Sequence, residues 1–154
     1  MSAISTGSAG LNVTDLDRSI AFYERALRFE VIRRSSDPAR PYALLGQESA
    51  VLLTLWQQTS ERFAPDRAGL HHLSFEVPTV EALGETEAAL RTAGIAIRDD
   101  PGAPGQAAAT GQLFFLDPDG IRLEVYTDDP RAQSPASGLP RCGFYDSAVP
   151  PSHG

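Results

Sequence analysis

The chain has 154 residues, of which 42% are hydrophobic and 21% charged, enough for one ordinary globular core and too few for two roomy domains. A formal charge of −7 leaves no basic footprint for a phosphate backbone, so no nucleic-acid partner is expected. No run approaches the roughly 18 apolar residues that span a bilayer, and the opening MSAISTGSAG has neither a basic nor an apolar leader segment, so a cytoplasmic chain without a membrane partner is expected.

Cys142 is the single cysteine, which excludes an internal disulfide and any thiolate metal cluster. It sits in a Pro/Gly-rich stretch with Arg141 as the one nearby cation, so an incidental thiol is expected rather than an activated nucleophile.

After a lead over residues 1 to 6, Ala9, Leu11 and Val13 alternate with Ser8, Gly10 and Asn12, which predicts a strand from about Gly7 to Val13. Thr14 and Asp15 can cap a helix in which Leu16, Ile20, Tyr23, Ala26 and Leu27 share a face. Strands are predicted at Phe29 to Arg34, Tyr42 to Leu45 and Val51 to Trp56, with turns at SSDPARP and Gly46 to Ser49. Residues 58–69 break every periodicity and are expected to link two halves.

The pattern restarts at Leu70 to Val77, where Leu73, Phe75 and Val77 oppose His72, Ser74 and Glu76. Val80, Leu83, Glu87, Leu90 and Ala93 then predict a helix closed by Gly94, followed by a short strand at Ile95 to Arg98. Loop 102–111, rich in glycine and alanine, has neither the lysine nor the spacing of a phosphate loop and is expected to cover the site. Gln112 to Leu116 and Ile121 to Thr127 flank Asp117-Pro118-Asp119-Gly120, a hairpin turn whose two aspartates are expected to be structural. Residues 129–154 are expected to form a tail, with Phe144 and Tyr145 as anchors.

Laid on each other, Ser8 to Leu16 matches His72 to Val80, and Leu52 to Gln57 matches Arg122 to Thr127, so each half reads strand, helix, strand, strand, strand. This predicts an α+β fold of two repeated β-α-β-β-β modules, residues 7–57 and 70–128, forming curved mixed sheets around a cleft with helices outside.

The strings VTDLDRSIAFYERAL, GLHHLSFEV and FFLDPDGIRLEVY make the chain resemble the vicinal oxygen chelate superfamily over about residues 6–128. That superfamily includes glyoxalase, extradiol dioxygenases, fosfomycin resistance enzymes and bleomycin resistance proteins. The resemblance implies paired modules, a homodimer, and a divalent metal held by cleft-facing side chains. It assigns ligand positions to His72 and Glu124, while the remaining two positions fall on Ser8 and Thr54.

A serine hydroxyl donates poorly compared with imidazole, so His72 and Glu124 would form a weak two-ligand site best suited to magnesium or manganese. His71 falls on the opposite face by alternation, where a buried structural role or a supporting contact is expected, and His153 lies far away in the tail. The cofactor is open between a divalent metal (iron, manganese, magnesium or zinc) and none.

Trp56, Tyr126, Phe115 and Phe75 are candidates for an aromatic wall, against the commoner role of strand aromatics in a core; alternation puts Trp56 and Tyr126 with Thr54 and Glu124. The candidate pocket is therefore Ser8, Asn12, Thr54, Trp56, Ser74 and Tyr126, with His72 and Glu124 as the candidate catalytic pair. Three functions fit: metal-independent binding or resistance to an aromatic or oxygenated small molecule; a metal-dependent lyase or extradiol-type dioxygenase; and a metal-free enzyme with a His72-Glu124 acid/base dyad. Two ligand positions that cannot ligate well favour the first.

Overall fold

The computed structural model describes residues 7–98 and 110–132. Expectations about the lead, most of the 102–111 loop, and the tail with Cys142, Phe144, Tyr145 and His153 lie outside the described residues. The chain divides into two compact units between Arg62 and Phe63, a boundary inside the aperiodic 58–69 segment. Each contains one helix and one four-stranded mixed sheet, the α+β arrangement of repeated modules that the sequence predicts.

In the first unit the elements are β1 (Ala9–Asn12), α1 (Leu16–Leu27), β2 (Glu30–Arg34), β3 (Tyr42–Gln47) and β4 (Ala50–Trp56), with sheet order β1-β4-β3-β2. β1 runs parallel to β4, and the other neighbours are antiparallel. Residues directly opposite across a ladder share a face, so Leu11, Ala43, Leu45, Leu53 and Leu55 form one continuous apolar face, all of it buried. α1 packs over β3 and β4 with Leu16, Ile20, Phe22, Tyr23, Ala26 and Leu27 turned inward.

Asp15 starts α1 by accepting the Arg18 N–H at 2.9 Å, and Arg28 ends it in the left-handed conformation at φ 55°. Ser19, on the buried face of α1, keeps its hydroxyl without a hydrogen-bond partner. Alanine there removes an unsatisfied polar group and is the better helix former. Ser19→Ala is expected to stabilise the protein by about 1 kcal/mol, read as a higher denaturant midpoint at unchanged slope; a lower midpoint would count against the burial argument.

The β3–β4 turn differs from expectation. β3 extends through Gly46 and Gln47, so the turn shrinks to Glu48 and Ser49, both left-handed at φ 48° and 69°. That is the backbone of a two-residue type I′ hairpin, built without the usual Asn-Gly, which is why composition alone spread it over four residues.

The second unit contains β5 (Leu73–Glu76), α2 (Val80–Thr92), β6 (Ile97–Arg98), β7 (Gln112–Leu116) and β8 (Arg122–Tyr126), in sheet order β5-β8-β7-β6. β5 begins at Leu73 rather than Leu70, and β6 is two residues long. Leu73, Phe75, Leu113, Phe115, Leu123 and Val125 share the apolar face, and α2 packs on β6 and β7 with Leu83 and Leu90 buried.

The two parallel pairs have one register. Gly10 faces Thr54 as Ser74 faces Glu124, and Asn12 faces Trp56 as Glu76 faces Tyr126. Val13 N–H donates to the Trp56 carbonyl at 2.8 Å, and Val77 N–H to that of Tyr126 at 2.8 Å.

In the β7–β8 turn, Asp117 Oδ1 accepts the N–H groups of Asp119 and Ile121 at 2.9 and 2.8 Å, and Gly120 takes φ 87°. The carboxylate shapes the turn that sets the direction of β8. Beyond β8, Asp129 accepts the Val80 N–H at 3.2 Å, and Arg131 bridges Asp129 and Glu81, tying the exit of β8 to the start of α2. The Arg131 guanidinium holds both carboxyls below the usual carboxylate range.

Candidate functional site

The face of the second sheet opposite α2 is polar. Alternation along β8 sends Arg122, Glu124 and Tyr126 to it, and the register adds Ser74 and Glu76 from β5 and Gln112 and Phe114 from β7. Glu124 is fully buried, and Arg122 and Gln112 nearly so. Buried ionisable side chains are costly unless partnered, and the partners of Glu124 define the site.

Ser74 Oγ donates a short hydrogen bond to Glu124 Oε2, and His72 Nε2 lies 3.4 Å from the same oxygen. The Glu124 side chain has no exposed surface and that of His72 only 18%, so the pair is screened from bulk water. Burial raises the Glu124 carboxyl above its ordinary range, although the Ser74 hydroxyl opposes the shift. Burial also lowers His72, and the charge of Arg122 lowers it further, favouring the neutral imidazole.

His71 contributes something alternation did not foresee. It precedes β5, where the two-residue period has not begun, and its Nδ1 lies 2.7 Å from Nδ1 of His72, with the rings edge to face. Burial, His72 and Arg122 all lower its ionisation. Arg122 is the other group that went unassigned. The signal for it was present: the repeat pairs it with Leu52, and alternation puts it on the face of Glu124.

The equivalent face of the first sheet has the same geometry and different chemistry. Ser8 directly precedes β1 as His72 directly precedes β5, and Thr54 occupies the register position of Glu124. Trp56 lies beside Tyr42 with ring centroids 4.9 Å apart and remains partly exposed, while Asn12 Oδ1 accepts from Gln58 Nε2 at 2.7 Å. The four-membered aromatic wall does not form: Phe75 and Phe115 lie on the apolar face with Leu123 and Val125. Strand parity decides this, since both phenylalanines are odd-numbered steps from Glu124.

His72 Nε2 and Glu124 Oε2 are close enough to occupy adjacent corners of one coordination sphere. Among the described residues, however, no group of three or more His, Cys, Asp or Glu side chains is arranged to hold a metal ion. One imidazole and one carboxylate do not fit a catalytic zinc with three protein ligands or an iron held by two histidines and a carboxylate. At most they suit a hydrated, oxygen-preferring ion.

A repeated β-α-β-β-β architecture with a histidine before the first strand of its second copy and a glutamate in that copy's last strand defines a class, and the comparison with known families agrees with it. The chain belongs to the glyoxalase/bleomycin resistance protein/dioxygenase superfamily, whose model matches residues 5–125. It is 34% identical over 128 residues to a catechol-2,3-dioxygenase of Bacillus subtilis (strain 168), covering 82% of this chain but 42% of that enzyme. It is 29% identical over 135 residues to a lactoylglutathione lyase of Haemophilus influenzae, covering 84% of this chain and 93% of the lyase. Among solved structures, a glyoxylase/bleomycin resistance protein/dioxygenase domain from Frankia sp. EAN1pec superposes with a TM-score of 0.67 at 28% identity, over 82% of this chain and 98% of that one. Among the described residues no helix is long and apolar enough to cross a membrane.

Proposed function

We propose that this superfamily member binds a small aromatic or oxygenated molecule independently of a metal. His72, Ser74, Glu124 and Tyr126 are the proposed anchors on the second module; Ser8, Asn12, Thr54 and Trp56 are the proposed binding residues on the equivalent face of the first. The observation that carries this reading is the fully buried Glu124, held by Ser74 and facing His72 on the polar side of a sheet. A core built for stability alone does better with an apolar side chain at such a position, so the cluster points to a ligand. The names of the two curated relatives supply the first candidates: catechols and lactoylglutathione.

Trp56 is the chain's single tryptophan, which makes its fluorescence a specific reporter. A catechol or lactoylglutathione is expected to quench it saturably in protein stripped of metal by chelator, and His72→Ala is expected to weaken that binding about tenfold or more. Binding that appears only after adding iron, zinc or manganese, at one ion per chain and lost in His72→Ala, would replace this reading with the metal-dependent lyase or dioxygenase. No response across a broad panel would sink ligand binding at this face.

A second reading has its own support. The lowered ionisation of His72 keeps its imidazole available as a neutral base beside a carboxyl group, the arrangement of an acid/base dyad. Turnover of a bound ligand by metal-stripped protein, abolished in His72→Gln, distinguishes the dyad from simple sequestration. In either case the protein is proposed to work as a cytoplasmic homodimer; a monomeric mass in sedimentation would refute the dimer.

A further inference from the structure

Strict alternation along β2 would put Val31 and Arg33 on one face of the first sheet and Ile32 and Arg34 on the other. The strand departs from that at Ile32. A bulge there shifts the register, so that Val31 stands opposite Leu45, Arg33 opposite Leu44 and Arg34 opposite Ala43. Leu45 and Ala43 belong to the buried apolar face beneath α1, so Arg34 turns toward the helix, where its guanidinium pairs with Asp17 at 2.7 Å. Arg33 is sent to the opposite face. One extra residue in the strand exchanges the directions of the two arginines.

The bulge delivers Arg33 to an aromatic surface. Across the ladders Leu44 is opposite Thr54, and Tyr42 is opposite Trp56, which is opposite Asn12 in turn. Tyr42 is thus the diagonal neighbour of Arg33, a separation of about 7–8 Å that a long side chain spans. The Tyr42 and Trp56 rings have centroids 4.9 Å apart and planes 35° from parallel, and Trp56 stays 38% exposed. In a chain of formal charge −7, none of Asn12, Arg33, Tyr42, Leu44, Thr54 and Trp56 is acidic.

We propose that this face of the first sheet is a platform for a planar aromatic anion, with an aromatic carboxylate as the simplest case. Its rings stack on Trp56 and Tyr42, and its charged group is met by Arg33, whose planar guanidinium matches a carboxylate. Stacking supplies most of the affinity; the arginine supplies the choice of charge. Because Arg33 is exposed, solvent screens that pair and its selectivity is modest. The inference rests on the binding role proposed above for Trp56, and adds to it Arg33, Tyr42 and the charge of the ligand.

The single tryptophan gives one indole N–H signal in nitrogen-15 spectra of the full-length protein, which reports directly on this face. Naphthoate and its uncharged isostere naphthamide are titrated against that signal at low ionic strength. Naphthoate is expected to bind about three- to fivefold more tightly, with the gap narrowing as salt is added. Arg33→Gln is expected to close the gap by weakening naphthoate alone, and Tyr42→Ala to weaken both ligands alike. Equal affinities in wild type, a gap that survives in Arg33→Gln, or no movement of the Trp56 signal would overturn the proposal. Saturable catechol binding without a preference for naphthoate over naphthamide would strike this inference and leave the functional reading standing. Arg33-dependent naphthoate binding that His72→Ala leaves unchanged would keep the platform and refute the role proposed for His72.

Discussion

Glu124→Gln is expected to stabilise the protein by about 1–2 kcal/mol at neutral pH while weakening ligand binding about tenfold or more. Glutamine keeps the volume and still accepts the Ser74 hydroxyl, but it removes a charge from a position with no solvent exposure. The sign follows from the shift. Burial raises the carboxyl's pKa in the folded state, so the unfolded chain gives up that proton more readily. Wild type therefore loses stability as pH rises from the ordinary carboxyl value of 4.5 through the raised folded value, and above that the penalty is complete.

Urea unfolding of both proteins at pH 7.5 and at pH 4 checks the expectation. The advantage of glutamine should be present at the higher pH and largely vanish at the lower one, where the wild-type carboxyl is mostly protonated in both states. An equal difference at both pH values would mean that packing, and not the charge, governs the substitution. His72 acts in the opposite sense: its lowered pKa makes stability fall as pH drops through 6.5 toward the folded value. Since both proteins retain His72, that limb largely cancels in the comparison.

Gly46→Ala is expected to cost about 3 kcal/mol or more, through overpacking rather than lost contacts. A Cβ at Gly46 would stand 1.8 Å from the Ala50 carbonyl oxygen and 3.1 Å from Ile32 Cδ1. The obstruction is backbone, in the antiparallel pair whose register shifts between Leu45 and Gly46, so no side-chain rotation relieves it. Thermal unfolding with a midpoint unchanged from wild type would show that the bulge can open, and would revise the β3–β4 hairpin described above.

The fold was legible because its elements follow simple periods. Alternation marked the strands, Asp15 marked the start of α1, and the match of the two halves gave the repeat that the common register reproduces. Strand ends were less legible where hydrogen bonding sets them: Gly46 and Gln47 stay in β3 because Glu48 and Ser49 absorb the whole reversal. At the site, the facing of Ser74, Glu124 and Tyr126 was readable from parity along β5 and β8. The ring-to-ring contact of His71 with His72 was not, since parity says nothing about a residue outside the strand. Complete burial of Glu124 was equally unreadable, because it depends on what is packed around the strand and not on the strand's own residues.

The common register of the two parallel pairs means that the sheet supporting the site is indifferent to what is mounted on it. One copy carries histidine, serine and glutamate; the other carries serine, glycine and threonine in the same three places, on the same ladder. Folding constrains the apolar face of each copy and leaves the opposite face free to diverge. The chain thus holds an internal blank of its proposed binding surface, on which new donor sets can be written position by position without redesigning a strand.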